Sequence, residues 1–362
     1  MIDPSVLEEL RKDIEKKEKW FMPESELDDN QRYMLYSKSS KLIAEGSAGS
    51  GKTLLALHRL HRTIEGNNEN VLFVVFTSTL KEYIESGISE LLKSSLGQAD
   101  ILYIEKLKKE NIKEKIKDNF YDYVIVDEVQ DVPERILKKL VGAAKKGVIL
   151  FGDDAQQIYY RIETGISIDE IKERVFESDV DHIKLEHNYR VPREVMKFSE
   201  MIVSGSGDLV EKCKNNIGTI TINKLSDKKE EILYIYNTII DKGLKDVVVL
   251  YPKNEDVDTA SDIFKEIDKE FLIETKSGKL SDNLNFETDL PKIMTFHSSK
   301  GLEFKDVFIP SCNQIENFIP EQFRRAFYVA TTRTNENLYL TYYEDTQNDA
   351  MKEIRKYKER YI

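Results

Sequence analysis

Cysteine is nearly missing from this chain: Cys213 and Cys312 are the only two, and they lie far apart. Such a pair offers neither a disulfide framework nor the clustered thiolates of a cysteine metal site. Long apolar runs are missing too. The strongest, VLFVVF at 71–76, has the length of one buried strand and is far too short to cross a bilayer. No cluster of histidines and carboxylates suggests a nuclease site, and no internal repeat or low-complexity tract is present. An excess of positive charge is also lacking. With 54 basic and 66 acidic residues the net charge is −12, which argues against indiscriminate binding to nucleic acid but leaves room for a basic groove. The first twenty residues are dense in charge, so no secretory signal is expected and the chain reads as cytoplasmic. What remains is an ordinary balance of 40% hydrophobic and 33% charged residues, over a length that accommodates two domains.

Against this background one stretch stands out. AEGSAGSGKT, Ala44 to Thr53, contains Gly46-x4-Gly51-Lys52-Thr53, the phosphate-loop pattern. A short apolar lead-in (Leu42, Ile43, Ala44) precedes it, and apolar residues at helical spacing follow. Backbone N–H groups of Gly46, Ser47, Ala48, Gly49, Ser50 and Gly51 can close around phosphate oxygens at a helix N-terminus, which already favours negative charge. Lys52 would reach the β- and γ-phosphates and Thr53 would ligate Mg²⁺. Downstream, YDYVIVDEVQD reads as a central parallel strand ending in Asp127 and Glu128. Asp127 can hold Mg²⁺ through water and Glu128 can activate a water for attack. A third strand ends in GDDAQ, where Gln156 is placed to sense the γ-phosphate. Taken singly, each acid pair or amide would more often be a plain turn; the three in order are hard to obtain by chance.

Together with LDDNQ (27–31), VVFTSTL (74–80), LEHNYR (185–190), TFHSSKGLEF (295–304) and RRAFYVATTR (324–333), the chain resembles the UvrD/Rep-like branch of superfamily 1 helicases. That resemblance implies an α/β fold of two RecA-like P-loop domains, expected at 1–180 and 181–362, with ATP in the cleft between them. By position, Gln31 would recognise adenine, Tyr189 would stack on it, and Glu303 would touch the ribose. Arg190 and Arg333 would act as arginine fingers from the second domain. Single-stranded DNA would cross both domains, with Phe76, Thr77, Ser78, Tyr159, Tyr160, Thr295 and His297 as contact candidates.

Two departures from the family pattern matter. The tail of the third motif is IYYRIETG, with Arg161 where a base-stacking Trp or Phe usually stands, so Tyr160 or Arg161 would stack instead. The intervals 54–126 and 191–294 leave little room for accessory domains, and 276–291 reads as a polar loop. The expectation is therefore a bare two-domain ATP-driven DNA translocase, 3′→5′ by family branch, working with a partner such as a nuclease or effector in repair or phage defence. A nucleotide-gated switch that controls a partner without processive movement is the alternative, and RNA in place of DNA stays open. The lysine-rich 105–118 reads as a solvated helix face. A C-terminal stripe of Met351, Ile354, Tyr357 and Tyr361 reads as a helix docked on its own domain.

Overall fold

The computed structural model describes residues 24–67, 69–91, 99–109, 116–157, 165–176, 179–203, 208–277, 284–317 and 321–362. The first sheet is laid down by regular alternation of strand and helix. α1 (Asp29–Tyr36) is followed by β1 (Lys41–Gly46), α2 (Lys52–Asn67), β2 (Val71–Val75), α3 (Ser78–Leu91), β3 (Ala99–Tyr103) and α4 (Ile104–Lys109). Then come β4 (Tyr121–Val126), α5 (Glu134–Gly142), β5 (Ala144–Gly152), α6 (Ile168–Ile171) and β6 (Asp181–Leu185). The strands lie in the order β3-β2-β4-β5-β1-β6, all parallel. The composition explains the arrangement: β2 is VLFVV and buried at every position, as a strand covered by helices on both faces must be.

The second sheet repeats the scheme. α7 (Arg193–Ile202), β7 (Thr219–Lys224), α8 (Lys228–Lys242), β8 (Val247–Tyr251), α9 (Asn254–Ile267), β9 (Glu274–Lys276) and β10 (Lys292–Thr295) lead to β11 (Phe304–Ile309), α10 (Glu321–Thr331), β12 (Thr334–Tyr342) and α11 (Asp349–Tyr361). Its order is β7-β12-β11-β8-β10-β9, again parallel throughout. These are two RecA-like α/β units, as the motifs implied. Among the described residues, only α4 and loops separate β3 from β4, and only a loop separates β9 from β10.

One boundary needs correction. β6 pairs with β1, Ala44 opposite Ile183, so the first unit runs past residue 180 to Leu185. The alternation within β6 is that of an edge strand: Ile183 and Leu185 are buried while Asp181 and Lys184 face solvent. Within the lysine-rich 105–118, residues 110–115 lie outside the described residues.

Each unit has its own apolar layer, around Leu72, Val124 and Leu140 in the first and around Val249, Phe264 and Phe308 in the second. A third cluster runs unbroken from Leu42, Phe73 and Leu80 of the first unit to Leu302, Phe304 and Phe327 of the second. The units therefore share a packed interior. At the chain's end Met351, Ile354 and Tyr357 are buried, whereas Tyr361, expected on the same stripe, is 38% exposed. The Tyr357 ring meets Phe198 of α7 edge-on at 5.6 Å, and Phe198 meets Phe327 of α10 at 6.0 Å. Replacing Tyr357 with Ala should cost about 3 to 5 kcal/mol in denaturant unfolding. A loss below about 1 kcal/mol would show that α11 is not part of the second unit's core.

Candidate nucleotide site at the domain interface

β1 ends at Gly46 and α2 begins at Lys52, so the loop between them sits at the head of a 16-residue helix. Gly49 (φ +78°) and Gly51 (φ +86°) hold the left-handed conformation that turns the loop around. Gly49 has a second reason to be glycine: a Cβ there would stand 2.0 Å from the Asn188 amide oxygen. Lys52 is almost buried and donates to the carbonyls of Gly46 at 2.6 Å and Ser47 at 3.1 Å. The Ser50 hydroxyl is buried with no protein partner. A buried hydroxyl without a partner is costly and suits a site that receives phosphate oxygens.

Thr53 Oγ1 donates to Asp127 Oδ2 at 2.7 Å. This hydroxyl–carboxylate pair is an all-oxygen donor set of the kind that holds Mg²⁺ through a few protein ligands and several waters. Burial, and then the neighbouring Glu128, push the Asp127 carboxyl up to about 6, against the Thr53 hydrogen bond and Lys52. A divalent cation would relieve both effects, so the residues fit the ion.

Glu128 follows with φ 56°, a conformation rare for a residue with a side chain and typical of strain held at functional positions. Its Oε2 accepts from Gln130 Nε2 at 2.5 Å. Burial alone would raise Glu128, but Lys300, Lys52, the Gln130 hydrogen bond and Arg333 outweigh it and hold the carboxyl below its ordinary value. The largest of these opposing charges, Lys300, comes from the second unit.

The second unit supplies the rest of the pocket, which is lined by the phosphate loop, Glu128, Gln156, Arg190, Gly301 and Arg333. Arg333 is buried and donates to Val329 O at 2.8 Å, Leu302 O at 3.2 Å and, across the interface, Gln156 Oε1 at 3.1 Å. Burial and then Arg190 pull its guanidinium down to about 10, so it stays charged at neutral pH. Two guanidinium groups that repel one another beside a phosphate loop make an anion site. Arg190 pairs with Glu303 at 2.6 Å.

Gln31 is buried and both its amide atoms are engaged: Oε1 accepts from Asp28 N at 3.0 Å and Nε2 donates to Ser50 O at 3.2 Å. It braces the phosphate loop, and reading adenine would require this amide to exchange partners. Tyr189 lies beside it, its hydroxyl donating to Asp28 Oδ2 at 2.7 Å and its N–H to Gly49 O at 2.9 Å.

The expected nucleic-acid contacts fare unevenly. Phe76 is 3% exposed, with Lys300 Nζ 4.9 Å from its ring centre, and Thr295 is buried against Ser298. Burial withdraws both side chains from a strand in this arrangement, Phe76 within the first unit's own apolar layer and Thr295 within its own turn. Thr77 caps α3 through Leu80 N at 3.0 Å, and Ser78 opens that helix. His297 is held neutral, its imidazole pushed down to about 4 by burial and then Lys300. Tyr159, Tyr160 and Arg161 lie outside the described residues.

The residue that motif reading passed over is Lys300. It is fully buried, ion-paired with Asp131, hydrogen-bonded to Gln156 O at 2.7 Å, and 3.6 Å from Glu128 Oε2. Burial pulls its ammonium down, but Asp131 and Glu128 more than offset this and leave it above an ordinary lysine. A signal was present in the sequence, since Lys300 closes TFHSSK and Asp131 closes VDEVQD, but nothing linear joined them.

A phosphate loop, a strand-end acid pair and two arginines facing one interface pocket define a two-domain P-loop nucleotide machine. The comparisons narrow this class. An AAA domain profile matches residues 31–161 and a UvrD-like helicase C-terminal domain profile matches residues 272–345. The chain belongs to the UvrD/Rep-like group of superfamily 1 helicases. It is 35% identical over 134 residues to the ATP-dependent DNA helicase Rep of Buchnera aphidicola subsp. Acyrthosiphon pisum, covering 31% of this chain and 21% of that protein. It is 24% identical over 249 residues to a probable DNA helicase of Mycoplasma pneumoniae, covering 60% and 43%. The RecBCD enzyme subunit RecB of Chlamydia muridarum is 37% identical over 71 residues, or 18% and 7%. The chain spans less than half the length of each of these relatives.

Lys300→Met should cost about 3 to 5 kcal/mol in denaturant unfolding, because it leaves Asp131 and Glu128 buried without their counter-charge. Lys300→Met with Asp131→Asn should cost less than the sum of the single changes. Additive losses would mean the two side chains are not energetically joined.

Proposed function

We propose that this chain hydrolyses ATP to drive movement along single-stranded DNA. The observation that carries the reading is the interface itself: groups for phosphate binding, water activation and charge neutralisation line one pocket, and they come from both units. The chain's own groups divide the work. The loop N–H groups and Lys52 bind the phosphates, while Thr53 and Asp127 would hold Mg²⁺, which when bound would supply charge neutralisation at the phosphate oxygens. Glu128 orients a water and takes its proton. Arg190 and Arg333 place positive charge where it develops in transfer, and Gln156 reports the γ-phosphate to Arg333. Loss of that phosphate removes the anion that draws both guanidinium groups toward the loop, so hydrolysis loosens the contact at the pocket and the cleft opens.

The Buchnera and Mycoplasma relatives are DNA helicases by name, which favours DNA over RNA. The 3′→5′ direction and a partner nuclease or effector are part of the same proposal. The short connections between β3 and β4 and between β9 and β10 support a compact motor without large accessory domains. Such a motor would walk on single strands and need a partner to open a duplex.

Steady-state ATP hydrolysis with and without single-stranded DNA tests the reading. DNA should stimulate the rate at least about tenfold, and Glu128→Gln should lower kcat by about a hundredfold or more with DNA present. Hydrolysis that is indifferent to DNA would favour the nucleotide-gated switch.

A further inference from the structure

The two units touch at a second place that holds no phosphate-binding group. α3 of the first unit presents Leu80, Glu82 and Tyr83 to the second. Glu82 receives Lys276 of β9 through both carboxylate oxygens, at 3.0 and 3.2 Å, and both side chains are largely shielded from solvent. Tyr83 is buried and meets the Phe286 ring edge-on at 5.0 Å. Leu80 packs on Gly301, where a Cβ would come within 2.5 Å of it. The second unit fixes its side of the contact firmly. Glu274 accepts from Asn285 N at 2.9 Å and from Thr288 Oγ1 at 2.9 Å, and Lys292 lies over the Phe286 ring at 5.6 Å. Glu82, Tyr83, Lys276 and Phe286 are not among the residues lining the phosphate pocket.

We infer that α3, together with β9 and the 284–288 segment, forms a nucleotide-independent brace between the units, about which the cleft opens. The contacts at the pocket run through Gln156, Glu128, Arg190 and Arg333, groups that answer to phosphate. The brace runs through a shielded ion pair and an aromatic contact that do not. When phosphate contacts are lost the units therefore stay joined at α3, and opening is a rotation rather than a separation. Glu82 and Lys276 act as positioning residues. They keep the Arg190 and Arg333 side of the pocket within reach of the phosphate loop, so the closed arrangement is populated before ATP arrives.

The test is charge exchange across the pair, with Glu82→Lys, Lys276→Glu and the double swap measured in the full chain. Amide hydrogen exchange should quicken along α3 in each single variant and return to the wild-type rate in the swap. With DNA present, the KM for ATP should rise about fivefold or more in each single variant while kcat stays within about twofold, because a smaller fraction of molecules is ready to bind. The swap should restore both. Phe286→Ala should speed α3 exchange in the same way without altering charge. Wild-type exchange and KM in the single variants, or a swap that fails to restore them, would overturn the brace. The kinetic half rests on the proposed ATPase. Should the wild-type chain hydrolyse no ATP, that reading falls while the exchange measurement still decides the brace.

Discussion

A lysine ammonium with no exposed surface is the constraint on which the domain arrangement turns. Lys300 leaves the second unit, enters the first, and is neutralised there by Asp131 with Glu128 close by. Removing a charge from water carries a penalty of several kcal/mol, recovered only when the counter-charges and hydrogen-bond acceptors are in place. The arrangement thus specifies the docking of the two units in the closed state. Drawing Lys300 away would leave Asp131 and Glu128 buried without their counter-charge. Around this point the apolar cluster shared by both units can close, because its polar centre is satisfied.

The same residue places function beside stability. Its carboxylate partners belong to the strand-end motif that also supplies the proposed metal ligand Asp127 and the proposed base Glu128. The turn that carries Lys300 begins at Thr295 and ends at Gly301, whose φ of +84° and contact with Leu80 admit no side chain. Glu128 itself sits in a left-handed conformation. The strained Glu128, the buried Lys300 and the Gln156 amide lie in one network, through which a change at the pocket would be felt at the domain contact. Arg333 extends it by joining Gln156 to the second unit's own backbone.

Much of this was legible in the chain before the fold was known. Phosphate-loop glycines, Glu128 after YDYVIV, Gln156 and the two arginines announce themselves through local order, and they meet at one pocket. Other features were not legible, for physical reasons. Lys300 and Asp131 lie 169 positions apart, and only the docking of two separately wound sheets brings them together. Phe76 reads as an aromatic beside a strand end, equally suited to stacking a base or filling a core; in the fold it is buried in the first unit's apolar layer. Gln31 reads as a base-recognition residue, yet its backbone position as third residue of a capped helix commits the amide to Asp28 and Ser50. The edge strand β6 alternates in a way that does not reveal which sheet it joins. The Glu82–Lys276 pair has no local signature at all.

The central claim is that nucleotide state sets the relation of two units joined through a buried ionic centre. Distance measurement by paired spin labels tests it directly, with labels at Lys138→Cys on α5 and Leu233→Cys on α8, two exposed positions on opposite units. The native Cys213 and Cys312 are both buried, so labelling should be confined to the introduced sites. A non-hydrolysable ATP analogue with Mg²⁺ should give one narrow distance distribution, and ADP should broaden or shift it. Identical distributions in the two states would contradict the account.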